Sequence, residues 1–162
     1  MTPIAEASAP VRKSITVNAT AERAFRVFTE GIDSWWPRSH HIGSSPMQQA
    51  IVEPRAGGRC YSRQLDGTDC DWATVLVWEP PHRFVMAWQI TPAWGYQPDL
   101  GQSSEVEVRF TPLGEGATRV DLEHRHFERH GAGVESMRTA VDAPQGWSGL
   151  LELYRAQAEA AQ

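Results

Sequence analysis

From Gln48 to Phe127 the chain consists of short runs in which apolar and polar residues alternate, each closed by a turn signal. A period of two suits a strand with one buried face and does not suit a helix, whose period is about 3.6 residues. Glu105–Thr111 is the clearest case, with Val106, Val108 and Phe110 on one side and Glu105, Glu107 and Arg109 on the other. Arg83–Thr91 sets Phe84, Met86, Trp88 and Ile90 on one face, and Thr118–Phe127 does the same with Val120, Leu122 and His124. Further strands are expected over Gln48–Glu53, Arg59–Gln64 and Ala73–Trp78. The breaks between them are Pro54 to Gly58, the hairpin pair Asp66-Gly67, and Pro80-Pro81. Connections this short place consecutive strands side by side as an antiparallel meander.

A single curved sheet cannot bury its concave face alone, so the flanking segments must cover it. Val11–Val17 reads as a first strand, and Thr20 as the N-cap of a short helix carrying Ala24, Phe25, Val27 and Phe28. Gly31 stops that helix, and Ile32–Trp36 supplies one more turn before Pro37. At the other end Trp147, Leu150, Leu151, Tyr154 and Ala158 form one apolar stripe at helical spacing, opposite Glu152, Arg155 and Glu159. A shorter helical turn around Val134, Met137 and Val141 precedes it and ends at Pro144. The expected fold is α+β: a curved antiparallel sheet of six or seven strands wrapped around a long C-terminal helix, with two short helices after strand 1. Residues 1–10 read as a flexible tail and residues 11–162 as one domain. A sheet gripping a helix leaves space between them, which is a natural ligand cavity.

Charge narrows the function classes. The net charge is −5 and Lys13 is the one lysine, which argues against a nucleic-acid groove or an anionic-membrane patch. Cys60 and Cys70 are too few for a disulfide framework and lack metal spacing, as in a cytoplasmic protein with reduced thiols. No run approaches the ~18–20 apolar residues of a membrane span, and no signal peptide is visible. Gly57-Gly58 lies in a hairpin and opens no helix, so no phosphate loop is present, and no cofactor is called for. A monomer or homodimer is expected.

The order of elements, the run Val52-Glu53-Pro54-Arg55-Ala56-Gly57-Gly58-Arg59, the turn Trp78-Glu79-Pro80-Pro81-His82-Arg83-Phe84 and the terminal Gly146-Trp147-x-x-Leu150-Leu151 carry a resemblance. They resemble the START-like (Bet v 1-like, SRPBCC) superfamily over roughly residues 11 to 158. Within it they look most like the branch named for homologues of the heat-shock-protein-90 ATPase activator. The resemblance implies a helix-grip fold with a deep apolar cavity for lipids, polyketides, hormones or similar molecules. Superfamily members include carriers, sensors and aromatase/cyclases, so fold alone does not decide function.

Seven tryptophans in 162 residues are more than a small core requires, and something wide is expected to be lined with them. Trp88 and Trp147 sit on periodic apolar faces and are explained by core packing as well as by ligand contact, and Trp72 and Trp78 belong to the sheet, with Trp72 also expected to line the cavity. Trp35, Trp36 and Trp94 lie in irregular segments and are expected to frame a mouth or lid. The long link Pro92–Ser104, with Trp94, Tyr96 and Leu100, is a gate or an edge-covering loop. His40-His41 either lines the entrance or caps the sheet. Met86, Phe110, Leu151 and Tyr154 complete the expected cavity lining.

His124, facing inward, is the best-placed acid or base, with Glu53, Asp71 and Glu123 as weaker ones. His124 and His126 share a strand and His130 follows, but no third metal ligand is fixed by spacing, so no metal is expected. The leading expectation is a binding protein for a hydrophobic or aromatic small molecule. The alternatives are a cyclase/aromatase-type enzyme using His124 and a co-chaperone-like module that stimulates an ATPase.

Overall fold

The computed structural model describes residues 9–160. Seven strands form one antiparallel sheet: β1 (Val11–Val17), β2 (Met47–Val52), β3 (Arg59–Gln64), β4 (Asp69–Glu79), β5 (Arg83–Trp88), β6 (Ser104–Pro112) and β7 (Thr118–Arg125). Their order is β1-β7-β6-β5-β4-β3-β2, so β2 to β7 are the meander and β1 closes the far edge against β7. Register shifts at Met47/Gln49, Cys60/Tyr61 and Val75/Val77 increase the local twist and curl the sheet. The strand β4 begins four residues before the expected Ala73, because the polar start Asp69-Cys70-Asp71 carries no apolar alternation.

Three helices cover the concave face: α1 (Ala21–Phe28), α2 (Val134–Asp142) and α3 (Gly149–Ala158). Thr20 Oγ1 accepts from Arg23 N at 3.2 Å as the N-cap of α1, and Phe25 and Phe28 point into the core. Arg23 then reaches across to donate to the carbonyls of Ala158 (2.8 Å) and Gln157 (3.1 Å). It thereby places a cation on the C-terminal carbonyls of α3, where the helix dipole favours one. Every residue of the C-terminal stripe is buried. Regular α-helix begins only at Gly149, and Trp147 sits on a wider turn over Pro144–Ser148. Gly146 is non-helical inside that turn, and a Cβ there would meet Val141 O at 2.3 Å. The kink therefore needs glycine, and it separates α2 from α3 where a cavity opens.

The strand alternation is read out in burial. Val106, Val108, Phe110, Val120, Leu122 and His124 face the core. On the convex face Glu107 is covered by the guanidinium groups of Arg83, Arg125 and Arg109. Burial pushes its carboxyl up, but the hydrogen bonds from Arg83 and Arg125 outweigh that and hold it below its usual range. Of the expected N-terminal tail, residues 1–8 lie outside the described residues. The carbonyls of Ala9 and Pro10 accept hydrogen bonds from Arg138 of α2. Among the described residues no helix is long and apolar enough to cross a membrane.

Candidate functional site

Between the β3–β5 side of the sheet and the α2–α3 kink lies a cavity of about 310 Å³. That is at the small end of the ~300–1,000 Å³ of ligand sites. Four indoles form a closed ring in its wall. Trp36 stacks on Trp72 with centroids 5.3 Å apart and planes 18° apart. Trp72 meets Trp88 edge-on at 6.0 Å, Trp88 meets Trp147 at 5.6 Å, and Trp147 returns to Trp36 at 6.3 Å. Each comes from a different segment of the chain, so the cluster exists only in the folded chain.

The mouth is built from two loops. His40 Nε2 lies 3.2 Å from Gln145 O, and Ser39 Oγ lies 3.1 Å from His40 Nδ1. A carbonyl only accepts, so Nε2 carries the proton and Nδ1 accepts from Ser39. His40 thus ties the loop after Pro37 to the kink, and its own backbone carbonyl accepts from Trp36 Nε1 at 2.7 Å. Opposite, Trp94 sits at the tip of a turn in which its N–H donates to Thr91 O. Trp94 has φ = +63° and is 47% exposed, a left-handed conformation that a bulky residue rarely adopts. Tyr96 pairs with Ile90 across the base of this loop and is not on the wall.

Several expected positions therefore divide. Trp36, His40, Trp72, Trp88, Trp94 and Trp147 line the cavity. Trp35 does not: its ring packs on Phe28 (5.1 Å) and Tyr154 (5.6 Å), and its Nε1 donates to Val27 O at 2.9 Å. Phe110 meets Phe25 at 5.2 Å, and with Met86, Leu151 and Tyr154 it belongs to the filled core rather than the wall. Ser62 and Gln145 are on the wall without having been expected there. The inward face of β3 carries Cys60, Ser62 and Gln64, which are small or polar, so hydrophobic alternation could not signal it.

His124 needs the largest correction. It is 0% exposed and lies behind the wall, tilted against Trp88 at 5.1 Å and Phe127 at 4.4 Å. Trp147 Nε1 donates to His124 Nδ1 at 3.1 Å. An indole only donates, so Nδ1 is bare and Nε2 carries the proton, which goes to Ser104 Oγ at 2.7 Å. That hydroxyl in turn donates to His130 Nε2 at 2.7 Å, which also accepts from Ser104 N at 3.1 Å. Both ring nitrogens of His124 are thus committed to the protein. Burial, and next the proximity of His130, hold its pKa well below 6.5. It is a neutral prop for Trp147, with no free nitrogen for a ligand.

The weaker acid–base positions are also elsewhere. Glu123 pairs with Arg12 and Arg125, Asp71 with Arg59, and Glu53 accepts from Arg59 N. None of the three is on the cavity wall. Cys60 is buried, and burial pushes its thiol pKa far up, away from nucleophilic use. Among the described residues no group of three or more His, Cys, Asp or Glu side chains is arranged to hold a metal. His126 faces Glu128, with His126 Nδ1 3.5 Å from the carboxylate.

Two buried polar atoms on cavity-lining side chains have no hydrogen-bond partner: Trp88 Nε1 and His41 Nδ1.

Solved structures share the architecture. An anthrahydroquino-gamma-pyrone synthase, Txn09, solved with a ligand designated SUM, is 41% identical over 90% of this chain and 94% of its own, with a TM-score of 0.65. CalC, a self-sacrificing resistance protein from Micromonospora echinospora, is 28% identical over 94% of this chain and 95% of its own, with a TM-score of 0.65. A Nitrosomonas europaea protein, NE0264, has the same TM-score of 0.65 at 15% identity, over 97% of each chain, and so shares the fold alone. No curated protein sequence matches. Residues 18–153 match the sequence profile described as Activator of Hsp90 ATPase homolog 1-like protein, and the chain belongs to that family.

Proposed function

We propose that the protein binds a flat polycyclic aromatic molecule of the polyketide class in its indole-lined cavity. The observation that carries this reading is the contiguous cluster of Trp36, Trp72, Trp88 and Trp147 in the wall of a cavity of about 310 Å³. Indoles offer large rigid faces and edges at little conformational cost, which suits a fused-ring ligand better than a flexible acyl chain. The 41% identity to a synthase named for a fused anthrahydroquinone-pyrone supports the same ligand class.

The test is a titration with hydroxyanthraquinones and, in parallel, with straight-chain fatty acids. Quenching of tryptophan fluorescence together with a rise in Tm is expected for the fused-ring compounds and not for the fatty acids. Absence of both effects with the fused-ring compounds, or a preference for the acyl chains, overturns the reading.

The similarity to a synthase favours a second reading, in which the cavity also promotes ring closure of its ligand. His124 has no free nitrogen for such a step, so His41 is the wall residue left to supply an acid or base. Incubation with an uncyclised aryl-ketone polyketide, followed by mass and absorbance analysis, separates a catalyst from a carrier. An unchanged substrate recovered from the complex sinks this second reading.

A further inference from the structure

We infer that His130 is a positioning residue for the cavity: through Ser104 and His124 it holds the Trp147 indole in the wall, and a proton taken up at His130 weakens ligand binding. The inference rests on the cavity being the ligand site and adds the means by which that site is regulated. Trp147 lines the cavity, His124 and Ser104 are fully buried behind it, and His130, at the far end, is half-buried. Three hydrogen bonds join the four residues. Trp147 Nε1 meets His124 Nδ1 at 3.1 Å, His124 Nε2 meets Ser104 Oγ at 2.7 Å, and Ser104 Oγ meets His130 Nε2 at 2.7 Å. Ser104 N adds a second donor to the same nitrogen of His130 at 3.1 Å.

The direction of this chain is locked at the cavity end. An indole nitrogen only donates, so His124 keeps Nδ1 bare and its proton on Nε2, and Ser104 must donate onward. His130 Nε2 therefore accepts two hydrogen bonds, and a neutral His130 carries its proton on Nδ1. A second proton can only go to Nε2, where it meets the N–H and O–H of Ser104. Reversing the hydroxyl still leaves the backbone N–H opposed, and reversing the whole chain would require Trp147 to accept. Protonated His130 must therefore leave Ser104, and the support under Trp147 is weakened. The charged groups on the elements packed around His130 have partners of their own or face solvent. Glu105 on β6 pairs with Arg125 and Arg129, Glu128 faces His126, and Asp99 accepts from Gly101 N and Gln102 Nε2. On α2, Glu135 is exposed and Arg138 donates to the carbonyls of Ala9 and Pro10. Burial, with no charged neighbour contributing, lowers the His130 pKa.

The probe is 9-fluorenone, which has no ionisable group, titrated by calorimetry at about pH 8 and about pH 5.5. Wild-type affinity is expected to fall about fivefold or more on acidification. His130→Ala should lower affinity at the higher pH by a similar factor and flatten the response. His130→Gln, whose amide oxygen can accept where Nε2 did, should recover part of that affinity without restoring the response. Because His40 and His41 also line the cavity, the pH response is compared between wild type and variant. Equal responses in wild type and His130→Ala, or none in either, overturn the inference and leave the aromatic cavity standing. Binding at neither pH overturns the aromatic-ligand reading, and the ligand-free ¹⁵N-labelled wild type then decides the coupling, as it does should His130→Ala fail to fold. There the Trp147 indole N–H resonance is expected to move with the titration midpoint of the His130 ring. A Trp147 resonance that stays still while His130 titrates refutes the assignment.

Discussion

Trp35 and Trp36 are adjacent in sequence and belong to opposite halves of the concave face. Trp35 joins Phe28, Phe110 and Tyr154 under α1 and α3, where the rings pack on one another and three side-chain donors are paired with backbone carbonyls. Tyr154 Oη donates to Ala24 O at 2.7 Å, Thr29 Oγ1 to Phe25 O at 2.8 Å and Trp35 Nε1 to Val27 O at 2.9 Å. Trp36 joins Trp72, Trp88 and Trp147, where the rings border the cavity and the Trp88 indole N–H is unpaired. Both halves use aromatic residues at similar centroid distances, so composition does not distinguish them. The cavity does: the filled half packs without space, and the open half borders the proposed ligand site.

Truncation on the two sides gives the largest expected contrast. Trp35→Ala leaves a void in a filled region and is expected to lower unfolding free energy by about 3–5 kcal/mol, read from urea midpoints. Trp72→Ala enlarges a space that already exists, and its cost is expected to be roughly 1–2 kcal/mol less. Ligand affinity should rank the opposite way, with Trp72→Ala the more damaging. Equal stability costs for the two would erase the division between halves.

Acid sharpens the contrast next. The open half leans on the Trp147–His124–Ser104–His130 chain, in which burial holds both histidines below the ordinary value of 6.5. The unfolded chain takes up protons near that value and the folded chain does not. Stability from these groups is therefore complete above about pH 6.5 and falls as pH drops through that point towards the folded values. The convex-face carboxylates Glu105, Glu107 and Glu123 are held below their ordinary 4.5, so their contribution is lost only in a lower window. The filled half answers in neither window, since burial pushes the Tyr154 hydroxyl upward. A urea midpoint that falls between pH 7.5 and 5.5 is expected, together with altered Trp147 fluorescence. A flat midpoint over that range contradicts the neutral-histidine assignment.

A smaller effect belongs to the filled half alone. Tyr154→Phe removes one buried hydrogen bond and leaves Ala24 O without its side-chain donor, for an expected loss of about 1 kcal/mol by urea denaturation. Ligand affinity should not change, because Tyr154 is off the cavity wall. A coupled loss of affinity would mean that the halves are mechanically linked through α3.

These contrasts also mark where sequence reasoning ends. The sheet was legible because alternation in Glu105–Thr111 and Thr118–Phe127 reports which face is buried, and the cap at Thr20 because a side-chain oxygen there has one local use. Pro144 marked the break between α2 and α3, but the kink's need for Gly146 was not legible, because it depends on the approach of Val141 O. His124 was correctly placed on the inner face, yet the same alternation cannot say whether an inward residue meets a cavity or another side chain. That depended on Trp147 and Ser104, which are 23 and 20 residues away in sequence. Likewise nothing local separates Trp35 from Trp36, since the split follows from which distant rings each meets.

The smallest expected effect on stability concerns Trp94, and its sign is the informative part. A left-handed backbone costs a non-glycine residue roughly 1–2 kcal/mol, and Trp94 holds φ = +63°. Its loop is fixed by Thr91, whose N–H donates to Gly95 O at 2.8 Å and whose Oγ1 accepts from Gly95 N at 2.9 Å. The turn therefore persists without help from the indole, which is 47% exposed. Trp94→Gly relieves the strain and adds back about 0.5–1 kcal/mol of unfolded-chain entropy, so stability should be unchanged or slightly higher. The same substitution removes an aromatic face from the cavity mouth, and fused-ring affinity should fall several-fold by calorimetry. Strain retained at an exposed aromatic is explained when the ring serves the mouth and unexplained when it serves packing. A loss of stability above about 1 kcal/mol with unaltered affinity would return Trp94 to the scaffold and confine the site to the four-indole ring.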